Sequence, residues 1–459
     1  MYKINFDQPV HVHFIGIGGI SMSGLAEVLL EENFTVSGSD NKESALTDHL
    51  EKAGAQIFYG QKASNIIDGI DVVVYTAAIH KDNEEYQAAV QKGLPMLTRA
   101  ELLGQLMTNY DIPIAVSGTH GKTTTTSMIS HILLAGEMDP TISVGGILKA
   151  IGGNIRVGNS EIFVTEACEY TNSFLSFFPK ISVILNIDED HLDFFKDLED
   201  IRNSFHRFAK LLPKDGTLVI NGDIDRLDEI TGDLDCKIVT YGTNPSATYH
   251  AANVTHDELG EASFDLVKNG EFVDRISLSV SGDHNVSNAL AALAVADLLD
   301  VNVSVAKKGL KEFHGTDRRF EYKGETNGVT IIDDYAHHPT EIAATLTAAT
   351  HYPHREIWCI FQPHTYTRTY NHLDDFAKVL SEADHVILLD IYASREKDTG
   401  LVSSKDLRDK IEALGGVVTY CPTFNDAEKY AVDNCRKGDM LITMGAGDVY
   451  KIGEKLVSK

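Results

Sequence analysis

The chain of 459 residues carries 67 acidic and 40 basic side chains, a formal net charge of -27 at pH 7. At about 100–200 residues per domain, that length allows two to four domains, each with its own core. An apolar share of 43% with 23% charged residues belongs to a folded chain, not a disordered one. So acidic a composition argues against broad binding to nucleic acid or anionic lipid, which need clustered Lys and Arg; it leaves room for one local basic pocket for a phosphorylated small molecule.

The start, Met1 to Asp7, lacks the charged-then-apolar pattern of a signal peptide. No run of about eighteen apolar residues predicts a membrane span. Five scattered cysteines, Cys168, Cys236, Cys359, Cys421 and Cys435, form no CxxC pair. That usage fits reduced thiols in a cytoplasmic protein.

Short apolar runs alternate with helical patterns along most of the chain, the signature of parallel sheets covered by helices. His11–Ile17 reads as a strand, followed by a glycine turn, a helix over Ile20–Glu31, and strands at Phe34–Ser39 and Asp71–Thr76. After a helical stretch around Arg99–Thr108 the pattern restarts with Ile112–Ser117, a glycine turn and a helix from Lys122. Ile162–Glu166, Ile181–Asn186 and Thr217–Asn221 continue it. Lys237–Ser281, with short alternating runs and turn residues, predicts an antiparallel flank, and an alanine-rich helix follows over His284–Leu299. A third restart gives strands at Val329–Asp333, Glu356–Phe361, Val386–Asp390, Val417–Tyr420 and Met440–Met444. The expectation is three consecutive α/β domains, 1–107, 108–317 and 318–459.

Gly118-Thr119-His120-Gly121-Lys122-Thr123-Thr124 lies between a strand and a helix. Glycines let backbone N–H groups approach phosphate oxygens, the helix N-terminus favours negative charge, and a lysine there reaches the terminal phosphates. Thr123 would offer a hydroxyl to Mg²⁺. The spacing, GxxGKT, is two residues shorter than the usual phosphate loop because Val116 stands where that motif wants its first glycine. Glu166 ends one later strand and His191 lies just beyond another. Ligands of parallel sheets bind beyond the carboxyl ends of the strands, so Thr123, Glu166 and His191 are candidate Mg²⁺ ligands, directly or through water. Glu169, Asp188 and Asp190 compete, and spacing does not separate them.

Gly16-Ile17-Gly18-Gly19-Ile20-Ser21 is a partial dinucleotide fingerprint, with Ser39-Asp40 ending the next strand where a ribose-binding acid would sit. NAD or FAD is one reading, another nucleotide diphosphate a second, and a plain βα turn a third. Histidine groups such as His337-His338 or His351, His354 and His364 fit no standard zinc spacing.

Taken together the motifs resemble the Mur ligases over essentially the whole chain. The segments that carry the likeness are HFIGIGGISMSGLAEVLL from His13, SGSD from Ser37, GTHGKTTTTS from Gly118, NIDEDHLD from Asn186 and GDHNVSNALAA from Gly282. RRFE from Arg318, DDYAHHPTEI from Asp333, FQPHTYTRT from Phe361 and DIYASREKD from Asp390 complete it. The resemblance implies an N-terminal Rossmann-like UDP-sugar domain, a central P-loop ATPase-like domain with a mixed sheet, and a C-terminal Rossmann-like domain for the incoming amino acid. It turns the first loop towards a UDP pyrophosphate, with Gly18, Gly19, Ile20, Ser39, Asp40 and Thr76 lining that pocket. It assigns His284, Asn285 and Asn288 to the adenine side of ATP, Asp334 to the ribose, Arg319 to the nucleotide across the domain hinge, and His337 and Arg368 to the reacting centre. Lys122, Glu166, His191, His337 and Arg368 are then the catalytic candidates.

The implied activity is ATP- and Mg²⁺-dependent ligation of L-alanine to the lactoyl carboxylate of UDP-N-acetylmuramate, by a monomer or homodimer that binds neither nucleic acid nor membrane. A recycling ligase that adds a preformed tripeptide to the same UDP-sugar is the alternative; GIGGISMSG and FQPHTYTRT resemble the alanine-adding branch more. Four positions depart from the family pattern. Ser21 replaces a glycine, Glu166-Ala167-Cys168-Glu169-Tyr170 replaces a run richer in acids, and Thr365 replaces an arginine. The lysine that several relatives carbamylate has no counterpart in Phe205–Phe208, with Lys210 nearest, so no such modification is expected.

Overall fold

The computed structural model describes residues 2–76, 79–394 and 396–458. The first sheet contains β1 (His11–Ile15), β2 (Thr35–Asp40), β3 (Gln56–Tyr59), β4 (Val72–Tyr75) and β5 (Met96–Thr98), all parallel in the order β3-β2-β1-β4-β5. This order reverses between β1 and β4, so the crevice of a Rossmann-like sheet opens beside the Gly16–Gly19 loop and Thr76. β1 stops at Ile15, two residues short of the apolar run, because Gly16 turns the chain with φ 87°.

The helix Ile20–Glu31 that follows is buried on more than one face, Met22, Leu25 and Leu29 included. It lies between its own sheet and the central domain, where the Asn154 side chain donates to Ile20 O at 2.9 Å. A second helix, Arg99–Met107, joins the two units. A Cβ on Gly104 would stand 1.9 Å from Ser176 O, so only glycine allows that backbone contact.

The central sheet runs through β6 (Ile112–Ser117), β7 (Thr141–Leu148), β8 (Gly153–Arg156), β9 (Ile162–Glu166), β10 (Ile181–Ile184), β11 (Thr217–Asn221), β12 (Lys237–Gly242), β13 (Tyr249–His256), β14 (Glu261–Lys268) and β15 (Glu271–Ser281). Their order is β15-β14-β13-β12-β11-β10-β6-β9-β7-β8. The flank expected to be antiparallel is so only over β13 to β15; β12 pairs in parallel with both β11 and β13. Alternation shows only that one face is solvated, as exposed Lys237 and Ile238 do for β12, so strand direction was not readable from pattern. The alanine-rich helix His284–Leu298 and the phosphate-loop helix Lys122–Ala135 pack on each other and on this sheet, their small residues allowing close approach.

The third sheet contains β16 (Glu321–Thr326), β17 (Val329–Asp334), β18 (Ile357–Phe361), β19 (His385–Leu388), β20 (Val418–Tyr420) and β21 (Met440–Met444) in the order β16-β17-β21-β18-β19-β20. β16 alone is antiparallel. β18 and β21 are buried at every residue, as expected for strands covered on both faces by helices. Among the described residues no helix is long and apolar enough to cross a membrane.

Candidate functional site

Three neighbouring strands, β9, β6 and β10, deliver the centre of the site from their carboxyl ends. The loop after β6 turns into its helix at Gly121, whose φ of 84° is left-handed and which offers no side-chain cap. Asn288 fills the space where a Cβ would project, its Oδ1 only 2.6 Å from that point. The loop is braced by Asn186, just beyond β10: its Oδ1 accepts from His120 N–H at 2.8 Å and its Nδ2 donates to His120 O at 3.0 Å. Thr119 Oγ1 accepts from Asp188 N–H at 2.9 Å. Uncapped helix N–H groups in a rigid glycine turn form an anion site.

Lys122 points back across this loop. Its Nζ donates to Gly118 O at 2.5 Å, to Thr119 O at 3.1 Å and to the Glu169 carboxylate at 2.9 and 3.2 Å. Burial works against its charge, but Glu169 outweighs it and raises the ammonium pKa above the ordinary value. Glu169 is thus the acid that meets the lysine, a distinction spacing did not make. Glu166 is held differently, its Oε1 accepting from Gly145 N–H at 2.5 Å. His191 adopts φ 56°, lies over Tyr170 with ring centroids 4.6 Å apart, and has Nε2 3.8 Å from both Glu169 and Asp190. Burial lowers its pKa, and its Nδ1 is buried without a hydrogen-bond partner.

These donors suit a hard divalent cation. Glu166 commits one oxygen to Gly145 and retains the other, Thr123 carries a hydroxyl in the first turn, and His191 holds an unsatisfied ring nitrogen at the same strand ends. A different trio, His120, Asp188 and His338, also has metal-like spacing, but its ring nitrogens are engaged. His120 Nε2 lies 3.2 Å from Asp188 and Nδ1 3.1 Å from Glu341, while His338 Nε2 lies 3.0 Å from Glu189 O. Lys210, the lysine considered for modification, pairs with Asp233 at 2.7 Å.

Between the loop and the C-terminal unit lies a cavity of about 590 Å³, the size of a cofactor pocket. His120, Gly121 and Thr124 line one end; His284, Asn285 and Asn288 line one wall; Arg319 and Asp334 line the other. Gly118, Thr119, Lys122 and Thr123 belong to the phosphate loop at its end. Asp334 accepts from Ala336 N–H at 2.7 Å and Phe320 N–H at 2.8 Å, and burial pushes its pKa up to about 6. Burial also lowers His284 to about 4, so a neutral imidazole lines the wall at pH 7.

A second cavity of about 180 Å³ lies beyond Asp188–His191, lined by Asp190, His191, Tyr335, His337, His364 and Arg368 among others. His337 Nδ1 faces Tyr335 O at 3.0 Å; a carbonyl only accepts, so Nδ1 carries the proton and Nε2 keeps its lone pair. Burial takes this histidine down to about 4. Arg368 is buried and already occupied: Nε and Nη2 donate to Asp190 Oδ1 at 3.0 and 2.8 Å, and Nη1 lies 2.8 Å from His364 Nδ1. Thr365 caps the short helix Tyr366–Asn371 that bears Arg368.

The acidic run bridges the two units residue by residue. Asp188 accepts from Thr340 Oγ1 at 2.7 Å, Glu189 O accepts from His338, and Asp190 pairs with Arg368. Glu341, part of the DDYAHHPTEI segment but given no role from sequence, receives His120 from the phosphate loop and also faces His337, its Oε2 3.2 Å from Nδ1. The two histidines hold its carboxyl well below the usual range against the cost of burial.

At the first loop, Gly16 and Ile17 N–H donate to Ser39 O at 2.8 and 2.9 Å, and Gly18 N–H donates to Asp40 Oδ2 at 2.9 Å. Gly19 precedes the helix that Ile20 opens, and Thr76 Cγ2 approaches Gly16. Ser39 departs from the expected lining role: its hydroxyl is fully buried and donates to Glu85 at 2.6 Å, in a network with His13 and Ser37 behind the loop. Its backbone carbonyl, not its side chain, meets the loop, at Gly16 and Ile17.

Family models match along the chain: "Mur ligase family, catalytic domain" over 11–111, "Mur ligase middle domain" over 116–296 and "Mur ligase, glutamate ligase domain" over 318–447. A UDP-N-acetylmuramate–L-alanine ligase of Lachnospira eligens is 59% identical over 458 residues, covering 100% of both chains. The solved UDP-N-acetylmuramate-alanine ligase of Thermotoga maritima superposes with TM-score 0.81 at 31% identity, covering 98% of each chain. A murein peptide ligase of Psychrobacter arcticus follows with TM-score 0.73 at 26% identity, again over 98% of each.

Proposed function

The chain belongs to the Mur ligase family, and on that premise we propose that it is the ATP-dependent ligase joining L-alanine to the lactoyl carboxylate of UDP-N-acetylmuramate in the cytoplasm. Domains 1–107, 108–317 and 318–459 would bind the UDP-sugar, ATP and alanine respectively. The observation that carries the reading is the pair of cavities on either side of Asp188–His191, one ending at the phosphate loop and the other at His337 and Arg368. The similarity to the Lachnospira ligase favours alanine as the added group.

A carboxylate does not acylate an amine directly, because oxide would have to leave. The lactoyl carboxylate oxygen therefore bonds to the γ-phosphorus as the bond to the β-bridging oxygen breaks, and ADP departs with that electron pair. The alanine amine then attacks the acyl phosphate carbonyl, and phosphate leaves. Lys122 and the loop N–H groups hold the γ-phosphate and stabilise charge that grows on it, a task for preorganised electrostatics. Mg²⁺, held by Thr123, Glu166 and His191, would neutralise phosphate charge when bound. His337, with Nε2 unprotonated, would accept a hydrogen bond from the alanine amine and orient it for attack. Asp334 would receive the ribose hydroxyls, and Arg319 the phosphates.

Phosphate release from Mg-ATP with UDP-N-acetylmuramate and either L-alanine, glycine, L-serine or the L-Ala-γ-D-Glu-diaminopimelate tripeptide tests this. Turnover with L-alanine far above the rest is expected. Preference for the tripeptide would make it a recycling ligase.

A further inference from the structure

An acid at the third position of a helix ordinarily folds back onto the N–H of the capping residue. In the helix Pro339–His351 the cap is His338 and the third residue is Glu341. Its carboxylate reaches past the cap: Oε2 accepts from His337 N–H at 3.1 Å and lies 3.2 Å from His337 Nδ1. The other oxygen, Oε1, lies 3.1 Å from Nδ1 of His120 in the phosphate loop. Only 14% of the side chain is exposed, so these donors replace most of the water a carboxylate would otherwise keep.

These contacts put Glu341 between the two cavities. Glu341 and His120 line the larger one, and His337 lines the smaller. His337 Nδ1 has two acceptors within reach, Tyr335 O at 3.0 Å and Glu341 Oε2. Tyr335 O lies two residues away on the same loop, whereas Glu341 is carried by a helix anchored in the core through Ile342 and Leu346. By meeting both the backbone N–H and the ring of one residue, Oε2 restricts rotation of that imidazole and leaves Nε2, on the other side of the ring, uncommitted to it.

Resting on the ligase reading, we propose that Glu341 is a positioning residue for the amide-forming step: it holds the His337 ring by Nδ1 so that Nε2 meets the alanine amine, and ties that ring to the phosphate loop through His120. One carboxylate serves both ends because each oxygen goes to a different domain. A histidine that must present one ring nitrogen to a substrate is oriented by a partner on the other. The acyl phosphate forms at the loop and the amine arrives from the smaller cavity, so the His120 contact sets the two reactants in register.

Single-turnover kinetics of the full chain separate ADP formation, from Mg-ATP and UDP-N-acetylmuramate, from amide formation at saturating L-alanine. Glu341→Ala, and Glu341→Met, which keeps the volume without an acceptor, should slow amide formation about 10- to 100-fold and ADP formation far less, with melting curves to verify folding. Glu341→Gln keeps an oxygen for His337 and should recover most of that loss. In a His337→Ala background the same substitutions should add little, because the residue they act through is gone. Equal slowing of both steps, a Glu341→Gln variant as impaired as Glu341→Met, or a full further loss in the His337→Ala background overturns the assignment. Wild-type protein that forms no ADP from these substrates overturns the ligase reading and this assignment with it.

Discussion

Lys122→Ala is the obvious test of the phosphate loop, and the structure shows that it removes more than a catalytic charge. Glu169, whose side chain is only 2% exposed, has Lys122 as its ion-pair partner at 2.9 Å. Truncation leaves a buried carboxylate without its cation, which costs about 3–5 kcal/mol. It also strips Gly118 O and Thr119 O of their donor. Lys122→Ala should therefore lose both ligation and several kcal/mol of stability. Adding Glu169→Gln removes the uncompensated charge and should restore most of the stability while activity stays absent.

Urea unfolding at pH 7, followed by circular dichroism and by hydrogen exchange of residues 112–135, reads the difference. The ammonium pKa is raised, so the pair's contribution is full below the unfolded value of 10.5 and is lost only as pH rises through the higher folded value. The expected order is wild type, then the double variant, then Lys122→Ala. A single variant as stable as the double one would refute the claim that Lys122 and Glu169 form a buried, interdependent pair.

His120 is raised from 6.5 to about 9 because Asp188 and Glu341 outweigh burial, equivalent to about 3 kcal/mol of favoured protonation. Its hold on the C-terminal unit should be full below pH 6.5 and fade as pH rises through 9, seen as expansion in small-angle scattering; His120→Gln should lack that transition. Asn186→Ala deletes two bonds to the loop backbone and should raise the ATP KM about 10-fold with little change for L-alanine, as steady-state kinetics would show. Asp40→Ala frees the Gly18 N–H and should raise the UDP-sugar KM more than that for ATP; an equal rise would place Asp40 in another pocket.

Strands such as Ile112–Ser117, Ile162–Glu166 and Met440–Met444 were legible in full because each is a continuous apolar run between turn residues. β3 and β5 escaped because four and three residues give too little pattern, and β7 because Gly145-Gly146 interrupts it. The phosphate loop was readable since its parts are adjacent in sequence. Glu341 was not: it lies 221 positions from His120, and nothing local distinguishes it from an ordinary acid in the first turn of a helix.

Asp188 to His191 is the segment that makes two cavities into one site. Its acids reach across to Thr340 and Arg368 while its backbone accepts from His338. His191 at its end takes a left-handed conformation that costs a non-glycine residue of order 1 kcal/mol. That turn sets the imidazole between Glu169, and hence Lys122, and Asp190, its Nε2 3.8 Å from each. Asp190 joins Arg368 on one side and His191 N–H, which donates to its Oδ1 at 2.7 Å, on the other, so separating Arg368 from Asp190 should loosen the turn at His191. A substitution at Asp190 should therefore disturb both cavities although it lines only the smaller one, read as a raised KM for ATP as well as for L-alanine in steady-state kinetics.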